Sequence, residues 1–338
     1  MISLGPLRYY GAFIFIVLAY FGFTSEGIWS YSIVIFAFFL VPLVELITSP
    51  NKTFNSSENI SAYNVILILL TIAYSYLLVH YLTTINETDT LPTLLGKILT
   101  MGILMGVFGI NMAHELGHRK EKIFQVLAQF LLCTSQYTHF FIEHNRGHHK
   151  KVATPDDPAT ARKDENIYVF WVRSIRDGYK SAWLLENNAL KRKQLRWFSW
   201  RNDMVRYTFF QIVLIVLVFL LFGLVGLMAY LASCLVGILL LESINYVEHY
   251  GLVRSKISDS AYERVQYKHS WNSDHPLGRY LLFELTRHSH HHENSLIPYP
   301  NLESKDESPQ LPTGDSGMLL LSLIPPLFFK VMNKRLPK

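Results

Sequence analysis

Six apolar blocks, each close to the length a helix needs to cross a lipid bilayer, constrain this chain more than any other feature. A bilayer core takes about 20 apolar helical residues to cross. The blocks run approximately Tyr9–Phe23, Ser30–Ile47, Tyr63–Leu82, Leu94–Ala113, Tyr207–Met228 and Leu231–Val247. Half of all residues are hydrophobic, and they collect in these blocks rather than spreading evenly, which excludes an ordinary soluble domain. The first block is followed by no small-residue cleavage site and almost at once by a second block, so it reads as a retained helix and not a signal peptide.

The remaining segments have a definite polarity. The short connections near Thr24–Ile28, Thr83–Leu91 and the turn around Ala229 carry no Lys or Arg. Arg8, Lys52, the insert from His114 to Arg206 and everything after Glu248 lie on the other side. The positive-inside rule makes that side cytoplasmic, with both termini inside. Lys97, near the outer end of the fourth block, is expected to snorkel to the interface. The net charge of +5 therefore reflects topology, and no basic-aromatic pattern points to nucleic acid. The expected architecture is all-α and integral to a membrane, with six transmembrane helices in one domain over residues 1–338. It carries a cytoplasmic insert at 114–206 and a cytoplasmic tail at 248–338.

Two further apolar stretches are weaker. Ile123–Ile142 is broken by Gln125, Gln129, Ser135, Gln136 and His139 and fits a re-entrant or interfacial helix. Met318–Met332 is interrupted by Pro325–Pro326 and is too short to span. It is expected at the interface, with Lys330, Lys334 and Arg335 at lipid headgroups. The Ser/Asn/Thr-rich linker Thr48–Ser61 reads as an exposed loop.

The chemistry lies in the histidines, of which there are fourteen. His114 and His118 are four apart in HELGH, which puts both imidazoles on one helix face. His144, His148 and His149 follow in EHNRGHH, His249 in NYVEHYG, and His288, His291 and His292 in RHSHHHE. Every cluster falls on the cytoplasmic side, three of them near membrane exits. Imidazole suits iron, zinc, copper or nickel. A structural zinc takes about four ligands, so nine histidines are too many for one ion and about right for two. The string HELGH also fits the zinc metalloprotease signature, with Glu115 as base. That reading leaves the two His-His pairs unexplained. A membrane metal carrier would set its ligands along the bundle axis, whereas these sit at one rim. Only Cys133 and Cys234 are present, in separate apolar segments, so no disulfide framework and no Cys-based metal site is possible.

The strings His114–Lys120, FFIEHNRGHHKKVATPDDP (140–158), NYVEHYGL (245–252) and HSWNSDHPLGRYLLFELTRHSHHH (269–292) resemble the membrane-bound alkane monooxygenase (AlkB-like alkane omega-hydroxylase) family. That family lies within the fatty acid desaturase/hydroxylase-like histidine-box superfamily. NYVEHYGL is the most characteristic of the four, and the resemblance covers most of the chain. It implies a di-iron centre held by His114, His118, His144, His148, His149, His249, His288, His291 and His292. O2 is the implied oxidant and an n-alkane the implied hydrophobic substrate, hydroxylated at its terminal carbon to a 1-alkanol. Electrons would come from rubredoxin and an NAD(P)H-dependent rubredoxin reductase. The location implied is a bacterial inner membrane. A xylene-type aromatic methyl or a fatty acyl chain is the alternative substrate for hydroxylation or desaturation. Relatives usually carry Gln and Asp where this chain has Thr286 and His290, which puts the support of the last ligands in question; His290 is expected beside the site or just behind it.

Glu115, Glu143, Glu248 and Asp274 are the carboxylates expected behind the imidazoles, fixing tautomers and offsetting metal charge. His80, His139, His269 and His275 are expected to satisfy local contacts instead. Arg146, Lys150, Lys151, Arg162, Lys163 and residues 191–193 could attract an acidic electron donor, although topology alone accounts for most of these charges.

Overall fold

The computed structural model describes residues 5–54, 56–259 and 261–337. Asn55, within the expected linker, lies outside the described residues. Among the described residues, five helices are long and apolar enough to cross a membrane: α1 (Gly5–Thr24), α2 (Gly27–Ile47), α3 (Ser61–Thr84), α4 (Leu91–Gly117) and α8 (Asp203–His249). Between α4 and α8 come α5 (Lys122–Thr134), α6 (residues 139–151) and α7 (Ile167–Arg192). After α8 come a hairpin of β1 (Lys256–Ser258) and β2 (Ala261–Tyr262), then α9 (Pro276–Leu281), α10 (His288–Glu293), α11 (Asp315–Ser322) and α12 (Pro325–Met332). The small hairpin, with an isolated bridge between Asn272 and Gln310, is a departure from an all-helical chain that hydropathy did not foresee.

The two last apolar blocks are one 47-residue helical run, broken at Gly223 and not at Ala229. Gly223 has φ 67° and ψ −170°, a conformation open essentially to glycine alone. Gln136 Nε2 reaches both the Gln211 carbonyl (3.5 Å) and the Tyr230 hydroxyl (3.0 Å). A straight helix would hold residues 211 and 230 about 28 Å apart. The chain therefore doubles back at Gly223. Ala229 is buried in the middle of the second arm.

α4 is the centre of the bundle. It packs on α8, on the start of α2 and on α5, and its middle carries a π-helical stretch, Met105–Asn111. The helices touch closely at Gly102 and Gly237: a Cβ on Gly102 would collide with Val236, and one on Gly237 would lie 2.8 Å from Met105 Cβ. Small residues at such crossings let apolar helices approach where no hydrophobic effect drives them together. Val17, Leu46, Ile72, Leu220 and Leu221 on the outer faces are exposed and apolar, as lipid contact requires.

The tail is fastened to the ends of the spans by buried polar groups. Tyr9 donates to Glu284 over 2.9 Å, Glu284 pairs with Arg279 at 2.6 Å, and Glu45 accepts from the Gly278 N–H at 3.1 Å. Met318, Phe328 and Met332 are fully buried against Tyr246, Tyr250 and Trp271, so α11 and α12 form a small second core and do not simply float at an interface. Lys330, Lys334 and Arg335 do remain exposed. Lys97 does not snorkel outward: it is buried, pairs with Asp89 at 2.9 Å and donates to the Thr84 carbonyl at 2.7 Å. With the charge withdrawn from solvent, its nearest counter-ion and a free carbonyl satisfy it better than a distant headgroup. α5 is apolar but short, with Ala128, Leu131 and Leu132 buried against the bundle, in keeping with a segment that does not span.

Candidate metal centre

Helix geometry divides the histidines between two places. Neighbouring residues on a helix point about 100° apart, so the two halves of a His-His dipeptide face different ways. α6 exploits this through a π-helical turn at His144–His148. Such a turn closes i to i+5, which brings His144 and His149 onto one face, their Nε2 atoms 2.9 Å apart. His148 is turned aside. In α10 the i, i+4 pair His288 and His292 shares a face, with Nε2 atoms 2.9 Å apart, while His291 leans the other way. α4 contributes His114 and His118 from its last turn, and α8 contributes His249 at its end.

The result is two adjacent groups. His114, His118, His144, His149 and His291 form one; His148, His249, His288 and His292 form the other, with the ligating atoms of each group within 4.8 Å of one another. Among the described residues these are the groups of three or more His, Cys, Asp or Glu able to hold an ion. In the first, Nε2 pairs stand at 2.7 Å (His114–His291) and 3.1 Å (His118–His144). In the second they stand at 3.2 Å (His148–His292) and 3.1 Å (His249–His288). Two nitrogens bound at right angles about 2.1 Å from a shared ion lie about 3.0 Å apart. The donor set and spacing thus fit one ion per group, and imidazole is a fitting donor for iron. All nine residues singled out in the sequence are brought together here. Burial, reinforced by neighbouring imidazoles, pushes His118, His144, His288, His291 and His292 well below the usual histidine range, and His149 likewise. The shift favours the neutral imidazole, whose lone pair can ligate. His148 differs: burial is the largest influence and pulls its pKa down, but the Asp157 carboxylate with its hydrogen bond, and Glu143 and Glu242, together hold it above its ordinary value.

The four carboxylates part ways. Glu248 Oε2 is 3.3 Å from Nε2 of His288, the nitrogen that faces the second group, so it stands beside the ion position and not behind an imidazole. Glu143 is buried next to His144 with Oε1 unpartnered. Glu115 is committed to Arg119 at 2.7 Å and accepts from the Tyr299 N–H. Asp274 is committed to Arg287 at 3.2 Å and Ser304 at 2.5 Å. Glu115 and Asp274 therefore anchor the elements that carry ligands, because a buried guanidinium takes the nearest carboxylate first. The carboxylate that does orient a ligand is Asp157, which sequence reasoning missed; it accepts from His148 Nδ1 at 2.9 Å.

The other histidines stay apart. His290 Nδ1 accepts from the Glu303 N–H at 2.8 Å and joins neither group. His269 is engaged by Gln266 and Glu263, His80 stacks on Tyr20 and Tyr76, and His139 packs between Tyr137 and Tyr179.

An apolar cleft runs to this centre between the spans. It has a volume of about 100 Å³ and is partly open to the exterior. Phe15, Phe38, Ile103, Val107 and Leu240 line it, and Glu248 closes its polar end. Thr286 lies on the same wall with its hydroxyl unpartnered.

Comparison with known proteins agrees with the geometry. The fatty acid desaturase family model matches residues 89–318. Alkane 1-monooxygenase 1 of Pseudomonas aeruginosa is 37% identical over 91% of this chain and 83% of its own length. Alkane 1-monooxygenase 1 of Alcanivorax borkumensis is 35% identical over 92% and 79%. The hydroxylase component of xylene/toluene monooxygenase from Pseudomonas putida is 29% identical over 71% and 63%. The chain thus belongs to the AlkB-like alkane 1-monooxygenases of the fatty acid desaturase family, and it is a membrane oxidoreductase of the monooxygenase class.

Proposed function

We propose that the protein inserts one oxygen atom of O2 into the terminal C–H bond of an n-alkane, giving a 1-alkanol. The observation that carries this reading is the apolar cleft that ends at Glu248, 3.3 Å from His288 of the second histidine group. Two iron ions would be held by the nine histidines, His114, His118, His144, His149 and His291 on one and His148, His249, His288 and His292 on the other. Iron bound there supplies the activation of O2 that no side chain can provide.

The chain's own contribution is positioning and exclusion of water. Phe15, Phe38, Ile103 and Leu240 offer an alkyl chain only dispersion contacts and orient it lengthwise, methyl group toward Glu248. Glu248 and the imidazoles fix the charge at that end, and Arg287 with Asp274 holds α10 in place. Substrate dissolved in the bilayer enters between the spans without passing through water.

Six membrane crossings, with both termini and the histidines on the cytoplasmic side of a bacterial inner membrane, fit the fold-back at Gly223 and the distribution of Lys and Arg. Rubredoxin, reduced by its NAD(P)H-dependent reductase, is the proposed electron donor. Lys150, Arg162, Lys163 and residues 191–193 are exposed and available to an acidic partner, whereas Arg146 is taken up by Glu186 at 2.6 Å. A methyl-substituted aromatic is the second reading, favoured by the likeness to the xylene/toluene enzyme component.

Membranes containing the protein, supplied with a ladder of n-alkanes, rubredoxin, its reductase and NADH, test the assignment by gas chromatography with mass spectrometry. Primary alcohol that disappears in a His148→Ala membrane supports it. Iron bound without any alkanol, or alcohol from xylene alone, rejects the alkane reading.

A further inference from the structure

A second cavity lies behind the histidines, on the wall formed by α7. It has a volume of about 20 Å³, room for about one water, and is bounded by His144 and His148 on one side and by Tyr137, Glu143, Ser174, Gly178 and Glu242 on the other. Three features set it apart from the apolar cleft. Glu242 is 3% exposed, and among the described residues no cation pairs with it. Its two oxygens accept instead from Tyr137 (2.7 Å) and Ser174 (2.5 Å). A carboxyl group kept inside a membrane bundle without a counter-ion is costly and is retained for a purpose. The Glu143 Oε1 atom is buried on the same wall with no protein partner, the situation in which a buried water is expected. Finally, Gly178 is buried, yet a Cβ built on it would meet nothing within 4 Å. The wall is left without a side chain, and the space in front of it is open.

We propose that this cavity holds water and delivers the protons that oxygen insertion consumes, with Glu242 as the proton-relaying side chain. The inference rests on the monooxygenase reading. Inserting one atom of O2 into a C–H bond sends the other atom away as water. The O–O bond breaks, the substrate C–H becomes C–O–H, and two new O–H bonds form on the departing oxygen. That requires two electrons from the external one-electron carrier and two protons from solvent. The alkane cleft is lined mainly by aliphatic and aromatic side chains, with Asn111, Glu248, Thr286, Asp315 and Ser316 as its polar exceptions, and its apolar length is the poorer route for them. The polar cavity is lined directly by the ligands His144 and His148, which the cleft is not. Glu242 passes its proton through cavity water toward the centre and recovers one from solvent by the same water. Oxidant, alkane and proton thereby reach the centre without water entering the alkane cleft.

Radiolytic footprinting read by mass spectrometry reports bound water directly. The full chain in lipid nanodiscs is irradiated, and oxidation of Tyr137, which is only 4% exposed, is quantified. Labelling of Tyr137 in the wild type and its loss to background in Gly178→Leu, with iron content unchanged, is the expected result. An unlabelled Tyr137 in the wild type means a dry cavity and overturns the proposal. Glu242→Gln preserves shape but exchanges one acceptor oxygen for an NH2 donor, to which the Tyr137 or Ser174 hydroxyl can turn as acceptor; it is expected to keep its iron and its Tyr137 labelling while 1-alkanol formation falls about a hundredfold, the low end of what a positioned proton donor contributes. Electrons consumed should then appear as hydrogen peroxide. Unchanged 1-alkanol yield per electron in Glu242→Gln overturns the relay role. Wild-type protein that consumes electrons and O2 and labels at Tyr137, yet makes no alkanol, rejects the alkane assignment while supporting the hydrated cavity.

Discussion

His148 and Asp157 are joined deep inside the protein: the imidazole Nδ1–H donates to the carboxylate Oδ2 over 2.9 Å, and the two side chains are 1% and 0% exposed. The carboxylate fixes the tautomer, leaving the Nε2 lone pair to face the second group, 3.2 Å from His292 Nε2. Asp157 also accepts from Thr160 Oγ1 at 2.6 Å, so the loop that carries it is itself held.

Asp157→Asn keeps the size of the side chain and removes its charge. Iron affinity is expected to fall by about 10–100-fold, the usual cost of losing an orienting partner. Competition with a graded chelator, read as iron per chain, measures it. Wild-type affinity in the variant would show that His148 needs no charged partner.

How much of this was legible in the sequence follows from how local each feature is. HELGH, EHNRGHH and RHSHHHE report their ligands because helical spacing alone decides which imidazoles can meet. The doubled histidines carry the two-ion pattern for the same reason. Asp157 is different. Its neighbour Asp156 is the same residue type, and only the loop after His148, which turns through Ala153 at φ 59°, decides that Asp157 points inward and Asp156 out. The turn at Gly223 was hidden because no polar residue marks it within the apolar run, and hydropathy is blind to backbone conformation. Glu45 reads as the end of an apolar block. Its contact with the Gly278 N–H spans 233 positions of sequence, and no local pattern announces it.

Gly102→Val tests the crossing of α4 and α8. A side chain there must displace Val236, and overpacking of this kind costs about 1–3 kcal/mol. The thermal midpoint in detergent should fall. Gly11→Ala, where an added Cβ meets nothing within 4 Å, should leave it unchanged. Equal midpoints for the two variants would mean that the helices do not meet at Gly102.

The metal-free protein should lose stability on acidification. Burial lowers His118, His144, His149, His288, His291 and His292, and brings His139 down to about 4. A group whose folded pKa lies below its unfolded value near 6.5 binds protons more readily when unfolded. Its contribution is complete above pH 6.5 and is lost as pH falls through the window from 6.5 toward 4 and below. His148, held up against burial by Asp157, Glu143 and Glu242, acts in the opposite sense: its contribution is complete below 6.5 and fades as pH rises through its folded value. Glu143, raised by burial to about 8, and Asp315, raised by burial, act in the same sense as His148; three groups against seven leave the net slope positive below pH 6.5, where the unfolded histidines take up protons. Denaturation midpoints of the metal-free chain between pH 4 and 8 check the sign; a midpoint that rises toward pH 4 would contradict the burial of neutral imidazoles.

Ile103 lines the cleft eleven residues along α4 from His114, or about 16 Å by helical rise. It is 3% exposed and faces the space an alkyl chain would fill. Ile103→Phe shortens that space without touching a histidine. Each methylene displaced from an apolar site forfeits about 0.8 kcal/mol, or about fourfold in kcat/KM. Activity on the longest alkane accepted should fall by that factor per excluded carbon, while shorter alkanes are spared. Product profiles over an n-alkane ladder, normalised to bound iron, read the shift. A profile shifted in length places the substrate's far end at Ile103; an unchanged profile at full iron content would mean that alkanes reach the histidines by a path other than this cleft.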